Sequence, residues 1–249
     1  MNDISNMTLA RGGSRRGRER GGTRRALVAA VCAGALLVIA LTLIAACSLG
    51  SGPSEAEASG PVDTSIPATA DEPAVTSTPR EEWRKGEMPY LYQIDPQWAD
   101  AEYCGGTFAE QGCGPTALTM VYVYLTGDTS YDPVQMAAFS TENGYATDGN
   151  GSAWTLMSEG AATLGLNSQT LPAVESQLKA ELEAGHPLIC AMEPGTFTRV
   201  GHYIVVEGMA SDGTHVLVHD SNSVGRSMRV WDLETICAEA QNIWSFSVA

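Results

Sequence analysis

The apolar positions fall into three textures along the chain. Ala26 to Ala46, "ALVAAVCAGALLVIALTLIAA", is an unbroken apolar run without a charge. Ser48 to Arg80 has no apolar period and no aromatic residue. Beyond Glu81 apolar residues recur with the periods of helices and strands, and every Trp, Tyr and Phe of the chain lies there. In that last part, "PYLYQIDPQWAD" reads as an extended lead-in ending in a turn at Asp95–Pro96. Pro115 to Leu125 predicts a helix, with proline in its first turn and Gly127 just past its end. Asp132–Pro133 opens a second, short helix, and Ser152 is placed to cap a third through "AWTLMSEGAATL". Val174, Leu178 and Leu182, four residues apart, predict a fourth helix closed by Gly185. The pattern then shortens to β-rich runs: "PLICAM", "HYIVVEGM", "THVLVHD", "SMRVWDL" and "NIWSFSV", with a short helix near Glu234 to Ala240. Helices first and strands second imply an α+β domain with a mostly antiparallel sheet.

Charge sharpens the division. Residues 1–25 carry seven arginines and two acidic residues, a net of +5; beyond residue 46 seven basic residues face 27 acidic ones, a net of −20. The 21 apolar residues between them would make a helix of about 31 Å, the thickness of a hydrocarbon core. The arginine block predicts a cytoplasmic amino terminus, with everything after residue 46 outside the membrane. "IAAC", Ile44 to Cys47, resembles a bacterial lipobox, in which Cys47 would be lipidated; the alternative is an uncleaved signal anchor. Both tether the protein to the outer face of a bacterial cell. "TRRALV" resembles a twin-arginine signal only faintly, because the following run is too apolar. The expected organisation is therefore a basic cytoplasmic segment (1–25), a membrane anchor or lipoprotein signal (26–46), a disordered stalk (47–80) and one folded domain (81–249). The Ser, Pro, Ala, Thr and Glu of the stalk cannot bury enough surface to offset ordering entropy. So acidic an exterior part excludes nucleic-acid binding, which needs clustered cations. Oligomeric state is not legible.

Candidate chemistry centres on Cys113 in "AEQGCGPTALTM". A thiol attacks as thiolate, and a free cysteine with pKa ~8.5 is only a few per cent ionised at pH 7. A helix amino terminus favours the anion by about 0.3–1 kcal/mol, less than one pKa unit. An imidazole is needed beside it, and a carboxylate to orient the imidazole. The chain has four histidines: His186 belongs to a loop, while His215 and His219 share a strand face with Leu217, opposite Val216, Val218 and Asp220. His202 opens a strand after Gly201, and Asp220 ends the next one. If the two strands pair across "EGMASDGT", the start of one lies beside the end of the other and His202 meets Asp220. Gly112 and Gly114 are read as giving a substrate backbone access to the thiol.

"GCGPTAL", "GHYIVV" and "VHDSN" resemble, in order and spacing, the Cys, His and Asp boxes of the papain-like double-glycine peptidases and their stand-alone bacterial relatives. The similarity spans roughly Tyr90 to Val248. It implies a papain-like fold, a helical half followed by an antiparallel sheet half, with the site between them. It implies Cys113 as nucleophile, His202 as general base and acid, Asp220 as orienter, and a peptide or protein substrate, without metal or cofactor. Two departures stand out. The family's oxyanion glutamine lies six residues before the cysteine, where this chain has Thr107. Gln93 in "YLYQIDPQW" takes that part if the residues between are an insertion; Gln111 is too near the nucleophile. Ser221 and Asn222 follow the aspartate where relatives often have proline, and Asn222 could share the orienting role. Alternative readings are a cell-wall amidase of the NlpC type, whose usual Asp-Cys-Ser box is absent, and an inactive papain-fold module that binds peptides. Cys190 and Cys237 are the pair to consider for a disulfide, the other possibility being no bonds at all. Trp98 and Trp154 are expected in the core.

Overall fold

The computed structural model describes residues 75–249; the expected cytoplasmic segment, the anchor at 26–46 and the stalk up to residue 74 lie outside them. No helix among the described residues is long and apolar enough to cross a membrane.

The lead-in turns where Asp95 and Pro96 predict. The Asp95 carboxylate accepts the Gln97 N–H at 3.0 Å, while the Asp95 carbonyl accepts those of Trp98 and Ala99. A small hairpin follows, β1 (Glu102–Tyr103) and β2 (Gly106–Thr107), then a single helical turn, α1 (Phe108–Gln111). Gly112 ends α1 and starts α2 (Cys113–Thr126), which is longer than predicted because Cys113 and Gly114 join its first turn. Gly127, in the left-handed conformation at φ 75°, closes it. α3 (Pro133–Glu142) starts as expected: the Asp132 carboxylate accepts the Gln135 N–H at 2.8 Å and proline occupies the first turn.

The third predicted helix is a correction. Ser152 does not cap it: its backbone bridges Ala146, and its hydroxyl bonds the Tyr103 hydroxyl at 2.7 Å. The segment begins as a wide π-turn (Leu156–Gly160) and narrows into one helical turn, α4 (Ala161–Thr163). A strand the sequence pattern did not reveal, β3 (Leu166–Leu171), precedes α5 (Glu175–Glu183). In α5 Leu178 and Leu182 are buried, whereas Val174 precedes the helix and is exposed.

The remaining elements are β4 (Leu188–Met192), β5 (His202–Met209), β6 (Val216–His219), α6 (Val224–Ser227), β7 (Val230–Trp231), α7 (Leu233–Glu239) and β8 (Ala240–Val248). Six strands form one antiparallel sheet in the order β3-β8-β4-β5-β6-β7. Strand alternation sends Ile189, Tyr203, Val205, Trp244 and Phe246 into one core with α2, α3 and the lead-in. Leu188, Cys190, Ile204, Val206 and Ile243 enter a second core beneath α5 and α7. The sheet is thus a shared wall between two apolar layers, the α+β arrangement expected. Cys104, Cys113, Cys190 and Cys237 are all free thiols, so Cys190 and Cys237 are not bonded. Burial pushes the Cys190 thiol up and leaves it un-ionised.

Candidate active site

Two elements, a helix and a sheet strand, supply the candidate pair Cys113 and His202. Cys113 is the first residue of α2, half-buried between that core and a cleft of about 460 Å³. His202 is the first residue of β5, the strand against which α2 packs. The preceding Gly201 has φ 155°, and a Cβ there would meet nothing within 4 Å. Glycine is therefore needed for the backbone turn into the strand rather than for room beside the ring.

β5 and β6 pair as an antiparallel hairpin, with Val205 opposite His219. The extra residue at Glu207 bulges β5 without disturbing the end where the chemistry lies. Asp220 is one residue past that pair and 1% exposed. Its Oδ1 accepts the His202 Nε2–H at 2.8 Å. The other ring nitrogen, Nδ1, is left for Cys113, whose thiolate is favoured by His202 and by the backbone N–H groups of Gly114 and Tyr203.

Burial opposes charge on all three groups. For Cys113 the His202 hydrogen bond and positive charge override it and hold the thiol below its ordinary value. For His202 burial is outweighed by the bonds to Asp220 and Cys113, and its pKa is pushed up to about 9. Asp220 stays below the usual carboxylate value because burial is outweighed by His202 and by Arg226. The three shifts all favour the charged forms, a thiolate, an imidazolium and a carboxylate.

The other expected residues fall less simply. Gln93 is 2% exposed and does not line the cleft. Its Nε2 donates to the Ala109 carbonyl at 2.6 Å and its Oε1 accepts the Ser221 hydroxyl at 2.8 Å. It therefore ties the lead-in to the turn before the nucleophile and to the residue after Asp220. Thr107, at the family's glutamine position, is an exposed residue bonded to Glu110 at the start of α1. The turn, the β1–β2 hairpin and α1 occupy the interval between Gln93 and Cys113. Gln111 lines the cleft beside Cys113. Asn222 supports Asp220 through its backbone N–H at 2.8 Å, while the His202 bond goes to Asp220.

Gly112 and Gly114 also serve differently from the access role expected. Both are buried. A Cβ on Gly112 would lie 2.6 Å from the Phe108 carbonyl and 2.7 Å from its ring; one on Gly114 would lie 2.5 Å from the Ser152 hydroxyl and 2.8 Å from its Cβ. These glycines let α1 and the cleft-rim loop approach the nucleophile turn. Trp154, expected in the core, is 46% exposed and forms a cleft wall, while Trp98 is buried as expected. Gly149, Gly151, Met192 and Val200 line the same cleft. Arg226, which the sequence pattern did not single out, bonds Asp220 Oδ2 through Nε. Among the described residues no group of three or more His, Cys, Asp or Glu side chains is placed to hold a metal ion.

No curated protein matches the chain. A solved structure, the peptidase domain of Streptococcus ComA, "a Bi-functional ABC Transporter Involved in Quorum Sensing Pathway", is 18% identical with a TM-score of 0.44 over 56% of this chain and 93% of that one. The family model described as "Peptidase_C39 like family" matches residues 85–247, a span that holds the lead-in, the nucleophile turn and the whole sheet, and the chain therefore belongs to that family of papain-like cysteine peptidases.

Proposed function

We propose that the protein hydrolyses peptide bonds through Cys113, His202 and Asp220 by way of a thioester. The observation that carries this reading is that Cys113 and His202 line one cleft of about 460 Å³ while the His202 Nε2–H is bonded to the buried Asp220 at 2.8 Å. The thiolate attacks the scissile carbonyl carbon, and the carbonyl electron pair moves onto oxygen. Collapse of that tetrahedral species breaks the C–N bond as His202 gives its proton to the leaving amine. Neutral His202 then takes a proton from water, whose oxygen attacks the thioester; the acid leaves and the ion pair is restored. Asp220 holds the ring so that Nδ1 faces sulfur throughout. The oxyanion would be met by the Cys113 backbone N–H at the α2 amino terminus; the Gln93 amide, buried and outside the cleft lining, carries two N–H donors and would join it only on rearrangement. Only one of these donors is bonded, to Ala109. The apolar run at 26–46 and the arginines before it support a protein tethered on the outer face of a bacterial membrane.

The test compares iodoacetamide labelling of Cys113 in the native sequence and in His202→Ala, followed by digestion of a peptide library and of peptidoglycan. Labelling should be fast at pH 7 and fall only as the pH drops through the lowered pKa of the thiol. In His202→Ala it should fall roughly 30-fold at pH 7, because only a few per cent of an unassisted thiol is ionised there. Equal, slow labelling in both proteins would sink the enzyme reading and leave a peptide-binding module. Cleavage confined to peptidoglycan would make the protein a cell-wall amidase.

A further inference from the structure

The carboxylate that orients His202 is itself held from its other side. Asp220 Oδ1 receives the His202 Nε2–H and the Asn222 backbone N–H, both at 2.8 Å. Oδ2 receives the Arg226 Nε–H. The segment from Asp220 to Ser227 folds back to make this possible. The Asp220 N–H donates to the Ser227 hydroxyl at 2.9 Å, and that hydroxyl donates to the Asp220 carbonyl at 3.1 Å. The Ser223 hydroxyl caps the Arg226 N–H at 3.2 Å, and the Trp231 indole N–H bonds the Arg226 carbonyl at 3.0 Å. An exposed arginine–carboxylate pair contributes little, but a carboxylate with no exposed side-chain surface cannot exchange a lost partner for water.

We infer that Arg226 is a positioning residue for the proposed reaction: its guanidinium fixes the Asp220 carboxylate with Oδ1 toward His202 and divides the carboxylate's charge between two cations. The inference rests on the peptidase reading. Arg226 competes with the imidazolium for Asp220 and lies on the far side of the carboxylate from Cys113. The other titratable groups around the dyad are Cys113 of α2, Tyr203 of β5, Tyr92 of the lead-in and Glu110 on the cleft rim. None of these is a cation; Asp220 is paired with His202 and Arg226. Removing its charge makes the imidazolium easier to keep, so His202 holds its proton to higher pH. Removing its fork frees the carboxylate to rotate, and Nδ1 loses its aim at sulfur.

Iodoacetate labelling of the full-length chain reads both effects without a peptide substrate. This anionic reagent is drawn to the imidazolium, so its rate falls as His202 loses its proton near pH 9. In Arg226→Gln, which keeps an N–H donor but no charge, that falling limb should move up by ~0.5–1 pH unit. Arg226→Lys should return the limb to its original place. With a cleavable peptide, Arg226→Gln should lower kcat roughly tenfold with KM little changed. A limb that stays in place in a folded Arg226→Gln protein would overturn the inference and leave the arginine a structural prop. Equal shifts in the Gln and Lys variants would also overturn it, since charge would then be irrelevant. Absence of the limb in the native sequence would instead refute the Cys113–His202 pairing itself.

Discussion

His202 is buried, and burial alone would strip its proton; Asp220 and the thiolate reverse that and push its pKa up to about 9. The sign of the pH dependence follows. The Cys113 thiol is depressed, so the thiolate is present above its lowered pKa and lost as pH falls through it. The imidazolium is present below about pH 9 and lost as pH rises past it, so the competent pair exists between these two limits. The juxtaposition of His202 and Asp220, the proposed base and orienter, was legible because hairpin geometry brings a strand start beside the next strand's end, and Cys113 stood out as the proposed nucleophile by its residue type and its place at a helix start. Arg226 was not legible, since its contact depends on a four-residue turn folding back on Asp220. Gln93 shows how far residue identity reaches: the spacing hinted at it across an insertion, but the structure gives its side chain bracing bonds to Ala109 and Ser221. If its second N–H also serves the oxyanion, Gln93→Ala should lower kcat by ~10²–10³ with a small change in KM. Ser221→Ala removes only the brace on Oε1 and should stay within a few-fold of the native rate. Equal losses in steady-state kinetics of the two variants would assign Gln93 to bracing alone.

At the level of elements, the nucleophile turn depends on close approach. α1 and α2 meet at Gly112, and the loop ending in Ser152 closes on Gly114, with Tyr203 donating from its hydroxyl to the Ser152 carbonyl at 3.2 Å. That loop and Trp154 form part of the cleft wall, so displacing Ser152 reshapes the substrate's path. Gly114→Ala puts a methyl 2.5 Å from the Ser152 hydroxyl and 2.8 Å from its Cβ. The variant should lose ~1–3 kcal/mol by denaturant unfolding, a typical overpacking cost, and raise KM for a peptide. A Gly114→Ala protein of native stability and KM would show that the loop yields freely. The same region marks where pattern reading failed. α2, α3 and α5 announce themselves by proline, cap and leucine spacing. β3 does not, because Asn167, Ser168, Gln169 and Thr170 lie between its two buried leucines. Its strand state comes from pairing with β8 along Leu166–Leu171, a non-local contact that no local period encodes. The π-turn at Leu156–Gly160 follows Trp154, whose ring packs 5.9 Å from Trp244 of the interior strand β8, a contact equally remote in sequence.

For the whole molecule, the question is where the domain boundary lies, because the proposed tether needs one between stalk and domain. Composition placed that boundary at Glu81, where aromatic residues start. The last residues of the segment read as stalk are nevertheless bound to the domain. The Ser77 N–H donates to the Asp95 carboxylate at 2.6 Å, and the Ser77 hydroxyl accepts the Tyr92 N–H at 3.0 Å. The Thr78 backbone and hydroxyl both bond Tyr90, and the Thr78 carbonyl accepts the Trp83 indole N–H at 2.8 Å. Arg80 bonds Thr129, Asp132 and Gln135 near the start of α3. These contacts hold the lead-in that carries Gln93, so they link residues 77–80 to the candidate site. Each hydrogen bond contributes about 0.5–1.5 kcal/mol net, and the five made by Ser77 and Thr78, without the exposed Arg80 contacts, should amount to ~3–7 kcal/mol. A fragment beginning at Val75 should therefore melt higher than one beginning at Glu81, by roughly 5–15 °C in calorimetry for a domain of this size. The shorter fragment should also label more slowly at Cys113, since a loosened lead-in frees Ser221 beside Asp220. Equal melting temperatures and labelling rates would place the functional boundary at Glu81 and make residues 75–80 part of the stalk alone.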